Sequence, residues 1–262
     1  MNAPATGPGN AEIDCVLLDR LLAEIELAND ERRSLRRLIE LFNRLPAPPR
    51  AEEDFPRYGQ LKEAFVRSCR GTDPEVFEES FLELYAHLHM HEASYTPGER
   101  RRMDETGGYW AHAGGLSPIL KAGPWLSPDS RSVDLGAGNG LQALLMQRLY
   151  PHRRCCQVEI SGSMVEIGRR LQTWLDIPAD RVEWRVDDVL DTPLGGWDFV
   201  YLYRPVRPDG PGRVFYERLS AALDAEPGDV VIFSIADCLK GFLPPSFECF
   251  YTDGHLTCYR KA

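Results

Sequence analysis

The run "VDLGAGNG" places Asp134 ahead of three glycines, Gly136, Gly138 and Gly140, spaced one residue apart at the end of an apolar stretch. Glycine reaches left-handed backbone conformations and lets another group approach the main chain, so such a run serves a tight turn that something contacts closely. Ala137 and Asn139 fill the gaps, and the turn from Gly136 to Gly140 is a candidate binding loop. Glu159 ends the next apolar run. A carboxylate there can accept hydrogen bonds from both hydroxyls of a ribose, and it repels a 2′-phosphate. Asp187 and Asp188 end a third run, followed by Val189. One of the pair can accept from an adenine amino group while Ile160 and Val189 sandwich the ring. Asp134 can orient a cationic amino-acid end, directly or through water. Three acidic run ends around one crevice suit a ligand with a ribose, an adenine and net positive charge, and suit a pyrophosphate poorly. The G-x-G-x-G spacing departs from the dinucleotide fingerprint, which needs glycine or alanine where Leu141 stands. No G-K-[ST] follows, so a P-loop is absent.

The elements that must hold these residues follow from periodicity. From Ser132 onward, "SVDLG", "CCQVEI", "VEWRVDD", "DFVYLYRP" and "DVVIFSIA" read as strands. "LQALLMQRLY", "SMVEIGRRLQTWL" and "GRVFYERLSAAL" read as helices between them. This alternation implies right-handed crossovers and a largely parallel sheet covered on both faces. The stretch between Asp187 and Asp198 is short and holds Pro193, Gly195 and Gly196, so one crossover helix is expected to be missing or vestigial. "SFECFYT" and "HLTCYRK" flank Asp253-Gly254 and read as a terminal hairpin. The expected fold is α/β: a seven-stranded, mostly parallel Rossmann-like sheet with a C-terminal antiparallel hairpin.

The first part of the chain is helical in pattern. Leu17, Leu18, Leu21, Ile25 and Ala28 form one apolar stripe, and Leu35, Leu38, Ile39, Phe42 and Leu45 form the next. "PAPPRAEEDFP" breaks the run, and Asp73 before Pro74 marks a new helix with a capping acid. Phe77, Phe81, Leu84 and Leu88 are its buried stripe. The reading gives a tail at residues 1–10, an all-helical accessory domain at 11–115, and the α/β domain at 116–262.

Composition narrows the classes. Of 262 residues, 43% are hydrophobic and 27% charged, an ordinary globular balance. No run approaches the ~18 apolar residues of a membrane span. "MNAPATGPGN" at the start has neither a basic region nor an apolar stretch, so a secretory signal is not read there and the cytoplasm is the expected compartment. The seven cysteines include no C-x-x-C pair and are expected to be reduced, mostly buried thiols. The net charge of −10 disfavours a nucleic-acid partner, because phosphate contacts need clustered cations. "RRSLRR" and "RRR" read as solvated helix faces.

Residues from about 130 to 262 resemble the class I S-adenosylmethionine-dependent methyltransferases. "VDLGAGNG" looks like that family's first motif, "VEIS" with Glu159 like the acidic residue after its second strand, and "VDDV" like its adenine-binding turn. The terminal hairpin is similar to its last two strands. The resemblance implies S-adenosylmethionine as cofactor and methyl transfer by in-line displacement to a small-molecule or protein acceptor. The cofactor would lie on Asp134, Gly136, Ala137, Gly138, Asn139, Gly140, Glu159, Ile160, Asp187, Asp188, Val189 and Tyr109. A cofactor-binding regulatory module without catalysis, or a nicotinamide-dependent reductase, are the alternative readings.

The end of the fourth strand faces the acceptor in this architecture, and here it reads Tyr203-Arg204-Pro205. Relatives acting on amino groups of DNA or of glutamine side chains hold an Asn/Asp-Pro-Pro-aromatic motif there. This sequence departs from it, which argues against those acceptors. Arg204, with Arg207 or Arg213, could hold an acceptor carboxylate or phosphate through a forked pair of hydrogen bonds, and Tyr203 could orient the nucleophile. In "GGYWAHAGG", glycine pairs bracket Tyr109, Trp110 and His112, which would either fold over the cofactor as a lid, with His112 as the candidate base, or form a domain linker with packed aromatics. His87 and His91 stand four apart, but no third ligand accompanies them and no metal is expected.

Overall fold

The computed structural model describes residues 15–89, 95–109 and 114–261. The chain divides into two compact units, Met1–Leu88 and His89–Ala262.

The first unit holds helices α1 (Cys15–Ala23), α2 (Asn29–Arg44), α3 (Ala51–Asp54) and α4 (Tyr58–Ser68), and nearly all of α5 (Pro74–His89). Leu18 and Leu21 are buried as the apolar spacing predicts, but α1 stops at Ala23. The stripe therefore does not continue through Ile25 and Ala28; Leu22 takes the next buried place. Asp73 caps α5: its Oδ1 accepts from the Glu75 and Val76 amides at 3.0 and 3.3 Å. An aromatic cluster fills the centre, with Phe81 ring centroids 5.5 Å from Phe42 and 5.2 Å from Phe65.

The second unit opens with α6 (Pro97–Thr106) and α7 (Ser117–Lys121). It continues with β1 (Arg131–Leu135), α8 (Leu141–Leu149), β2 (Arg154–Glu159), α9 (Gly162–Trp174), β3 (Val182–Val186), β4 (Phe199–Tyr203), α10 (Gly210–Ala225), β5 (Val231–Ile235), β6 (Phe247–Thr252) and β7 (Leu256–Lys261). The seven strands form one sheet in the order β3-β2-β1-β4-β5-β7-β6. The first five are parallel, and β7 enters antiparallel between β5 and β6. Strands β1, β2, β4 and β5 are buried almost throughout, as a parallel sheet covered on both faces must be. No helix joins β3 to β4; the chain crosses there in turns, as the prolines and glycines of that stretch predict. Asp253 Oδ1 accepts from the amides of His255 and Leu256 at 2.9 and 2.7 Å and fixes the hairpin turn.

The boundary between the two compact units lies between Leu88 and His89. Helix α6 and the residues after it are hydrogen-bonded to the loops at the carboxyl ends of β2, β3 and β4, within the second unit.

Candidate functional site

The strand order runs outward in both directions from β1 and β4, and a crevice opens where the order reverses, at the carboxyl ends of the strands. The turn after β1 is built there. Gly136, Gly138 and Gly140 have φ of 82°, 59° and 69°, all left-handed. The amides of Gly136 and Ala137 donate to Val158 O at 3.0 and 2.9 Å, and Gly138 N donates to Glu159 Oε2 at 2.8 Å. The turn is thus tied to the end of β2 by three amides. A Cβ on Gly136 would lie 2.8 Å from Cβ of Pro205, so the ends of β1 and β4 approach too closely for any side chain there.

Gly140 has a different task. A Cβ there would meet Trp184 at 2.6 Å and Gln157 at 2.8 Å, both beneath the turn. Asn139 is fully buried, and its Oδ1 accepts from Leu141 N at 3.2 Å. Among the five residues of the turn, only Gly136, Ala137 and Gly138 line the cavity; Asn139 and Gly140 shape it from below.

Two carboxylates stand in this wall. Asp134, on β1, is 2% exposed and accepts no hydrogen bond from any described residue. Its pKa is pushed well above the usual carboxylate range, first by burial and then by the neighbouring charge of Glu159. Glu159 is also buried, and burial raises its pKa. Three backbone amides oppose that shift: Ser161 N on Oε1 at 2.9 Å, Gly138 N on Oε2 at 2.8 Å, and that of Ile160. Each oxygen keeps lone-pair capacity for a further donor. Two buried acids side by side make a site that attracts a cation and hydroxyl donors.

The third strand end is already engaged. Asp188 Oδ2 accepts from Arg102 Nε at 2.5 Å, and its Oδ1 accepts from Leu190 N at 2.9 Å. Arg102 Nη2 also reaches Asp191 at 3.1 Å. Asp187 N donates to Glu159 O at 3.0 Å, which joins β3's end to β2's. Asp187, Asp188, Ile160 and Val189 all line the cavity.

Arg102 belongs to α6, which roofs the cavity with Met103, Thr106 and Tyr109. Thr96 and Glu99 form a capping box with Pro97 at the first turn, which fixes where α6 begins. The other oxygen of Glu99 accepts from Gly162 N at 3.2 Å, anchoring the roof over the β2–α9 turn. Its far end is pinned to β4's continuation: Tyr109 N donates to Pro205 O at 3.2 Å, and Arg207 N to Gly107 O at 2.9 Å. The enclosed space is about 80 Å³.

The fourth strand brings Tyr201, Tyr203, Arg204 and Pro205 to the same cavity. Arg204 has φ 38°, an uncommon value for a residue with a Cβ. Its guanidinium lies 4.7 Å from the ring centroid of Tyr109, and its Nε is buried without a hydrogen-bond partner. Arg213 does not join it; that side chain is exposed on α10 and pairs with Glu217 at 2.8 Å. His112 and Trp110 lie outside the described residues, as does His91. His87 accepts from Arg57 N at 3.2 Å. No group of metal-ligating side chains is assembled among the described residues.

Sequence reasoning missed the roof. The capping-box pattern Thr96-Pro97-Gly98-Glu99 was the available signal for α6. "RRR" read as a solvated face, yet Arg102 is held by two aspartates at β3's end.

This sheet, with its 3-2-1-4-5-7-6 order and antiparallel seventh strand, is the α/β methyltransferase fold. No family model and no curated protein matches the chain. Among solved structures it is similar to an RNA methyltransferase from Salinibacter ruber in complex with S-adenosyl-L-homocysteine, at 21% identity over 56% of this chain and 88% of that one, TM-score 0.42. It is similar to TrmN from Thermus thermophilus, at 19% identity over 56% of this chain and 48% of that one, TM-score 0.42. It is also similar to geranyl diphosphate C-methyltransferase from Streptomyces coelicolor, at 23% identity over 45% of this chain and 44% of that one, TM-score 0.36. The chain thus spans about half the length of the last two. No described helix is long and apolar enough to cross a membrane.

Proposed function

We propose that this chain is an S-adenosylmethionine-dependent methyltransferase whose donor sits against Asp134, Glu159 and the Gly136–Gly138 turn. The observation that carries the reading is Asp134, a buried carboxylate open to the cavity and lacking any hydrogen-bond donor among the described residues. A buried anion left in that state is costly, and a cationic ligand relieves it. Glu159 offers its remaining lone pairs to the ribose hydroxyls, while its amide bonds keep it aimed. Ile160 and Val189 flank the adenine. When bound, the donor would supply a methyl group activated on a sulfonium, with Asp134, Glu159 and the Gly136–Gly138 turn holding it in place.

The protein's share is position and water exclusion. The roof from α6 to Tyr109 supplies the second. At about 80 Å³ the cavity is below the ~300 Å³ of ordinary ligand pockets.

Calorimetry with S-adenosylhomocysteine and with NADH tests this. The first binds, the second does not, and Glu159→Gln weakens the first. The amide keeps one accepting oxygen and loses a charge-assisted bond of about 1.5–3 kcal/mol, roughly a ten- to hundredfold rise in Kd. Binding of NADH alone, or an unchanged Kd in the variant, rejects the proposal.

A further inference from the structure

We infer that the methyl acceptor is a small anion whose carboxylate or phosphate is gripped by Arg204. The inference rests on the methyl-donor reading of the same cavity and deepens it.

The guanidinium of Arg204 stands at the cavity. The chain carries 40 acidic and 30 basic side chains other than histidine, and carboxylates are easily found. Arg36, Arg102, Arg154, Arg185, Arg213 and Arg260 each pair with one. Arg204 pairs with none among the described residues, although it lines the cavity. Its Nε is buried and has no acceptor. A guanidinium that lines a cavity without a carboxylate partner has donors to offer an acceptor that arrives with the ligand.

The geometry suits a forked contact. The rings of Tyr109 and Tyr203 lie 4.7 and 6.0 Å from the guanidinium carbon, and contact with Tyr109 restrains the guanidinium. The two terminal nitrogens can then donate as a pair to two oxygens. Arg207 lies 5.9 Å from the Tyr109 ring, exposed and also without an ion pair among the described residues, so it extends the positive field outward.

Charge is divided across the cavity. Asp134, Glu159, Asp187 and Asp188 stand at the ends of β1, β2 and β3; Arg204 stands at the end of β4. An anionic acceptor is repelled from the donor's side and drawn to the other, which orders the two ligands without a bound metal. A nucleic acid fits less well, because a phosphate chain needs many cations and the protein's net charge is −10.

The test titrates benzoate, and separately inorganic phosphate, into protein saturated with S-adenosylhomocysteine at fixed ionic strength. At least one anion binds, and which one tells carboxylate from phosphate. Arg204→Met weakens it at least tenfold; Arg204→Lys, which keeps the charge but loses the fork, falls between. The same variants melt by circular dichroism as the wild type does, which shows that the fold survives. Binding of neither anion, equal binding by Arg204→Met, or tighter Arg204-dependent binding of a 20-nucleotide RNA overturns the inference. Titrations repeated without S-adenosylhomocysteine report on Arg204 even if the donor reading itself fails.

Discussion

Replacing Asp134 with asparagine should make the protein more stable and a worse binder at once. Asp134 is 2% exposed, accepts no hydrogen bond from any described residue, and stands beside the buried Glu159. Burial first, and repulsion from Glu159 second, raise its pKa in the folded chain. A carboxyl whose folded pKa exceeds its unfolded value binds its proton more tightly when folded. The wild type therefore loses stability as pH rises from the unfolded value toward the raised folded one, and bears the full cost above it. Asparagine keeps the shape without the charge, so the gap between the proteins opens over that window. Each 1 kcal/mol shifts the midpoint of a unit this size by roughly 2–4 °C, so a rise of a few degrees is expected at pH 8 and none below pH 4. Binding moves the other way. A lost charge-assisted contact to a cationic ligand costs about 1.5–3 kcal/mol, or roughly ten- to hundredfold in Kd for S-adenosylmethionine. Thermal melts across pH and calorimetry at pH 8 read both effects. A variant that melts lower at pH 8, or binds S-adenosylmethionine as tightly as the wild type, refutes the assignment of Asp134 as a counter-charge held for a ligand.

Two other substitutions separate the turn from the roof. Gly136→Ala puts a Cβ 2.8 Å from Pro205 at φ 82°, and the backbone strain alone costs about 1–2 kcal/mol. Melting temperature and S-adenosylhomocysteine affinity should both fall, while Gly115→Ala, with no atom within 4 Å of the new Cβ, should match the wild type. Arg102→Ala removes the ion pairs that tie α6 to Asp188 and Asp191. With the arginine 42% exposed, stability should change by less than about 1 kcal/mol. Stopped-flow measurement should show S-adenosylhomocysteine both entering and leaving several-fold faster; unchanged rates would mean the roof does not gate the site.

The β1 turn was legible because its requirements are local. Three glycines in left-handed conformations and an acid at each of three strand ends are properties of short segments, and the alternation of apolar strands with amphipathic helices reports burial on both sheet faces. The sequence by itself therefore determined the parallel sheet, its closing hairpin and which strand ends carry charge. It did not determine which turn residues line the cavity. Gly140 and Asn139 look equivalent to their neighbours in the string, yet Gly140 packs against Trp184 and Gln157, Asn139 is buried, and neither lines the cavity. Nor could it give the roof, since Arg102 and Asp188 are 86 positions apart and a charge run carries no address. The isolation of Arg204 is likewise a tertiary fact: whether an arginine finds a carboxylate depends on which surfaces the fold brings within a few ångströms, and the fold brings Tyr109 instead.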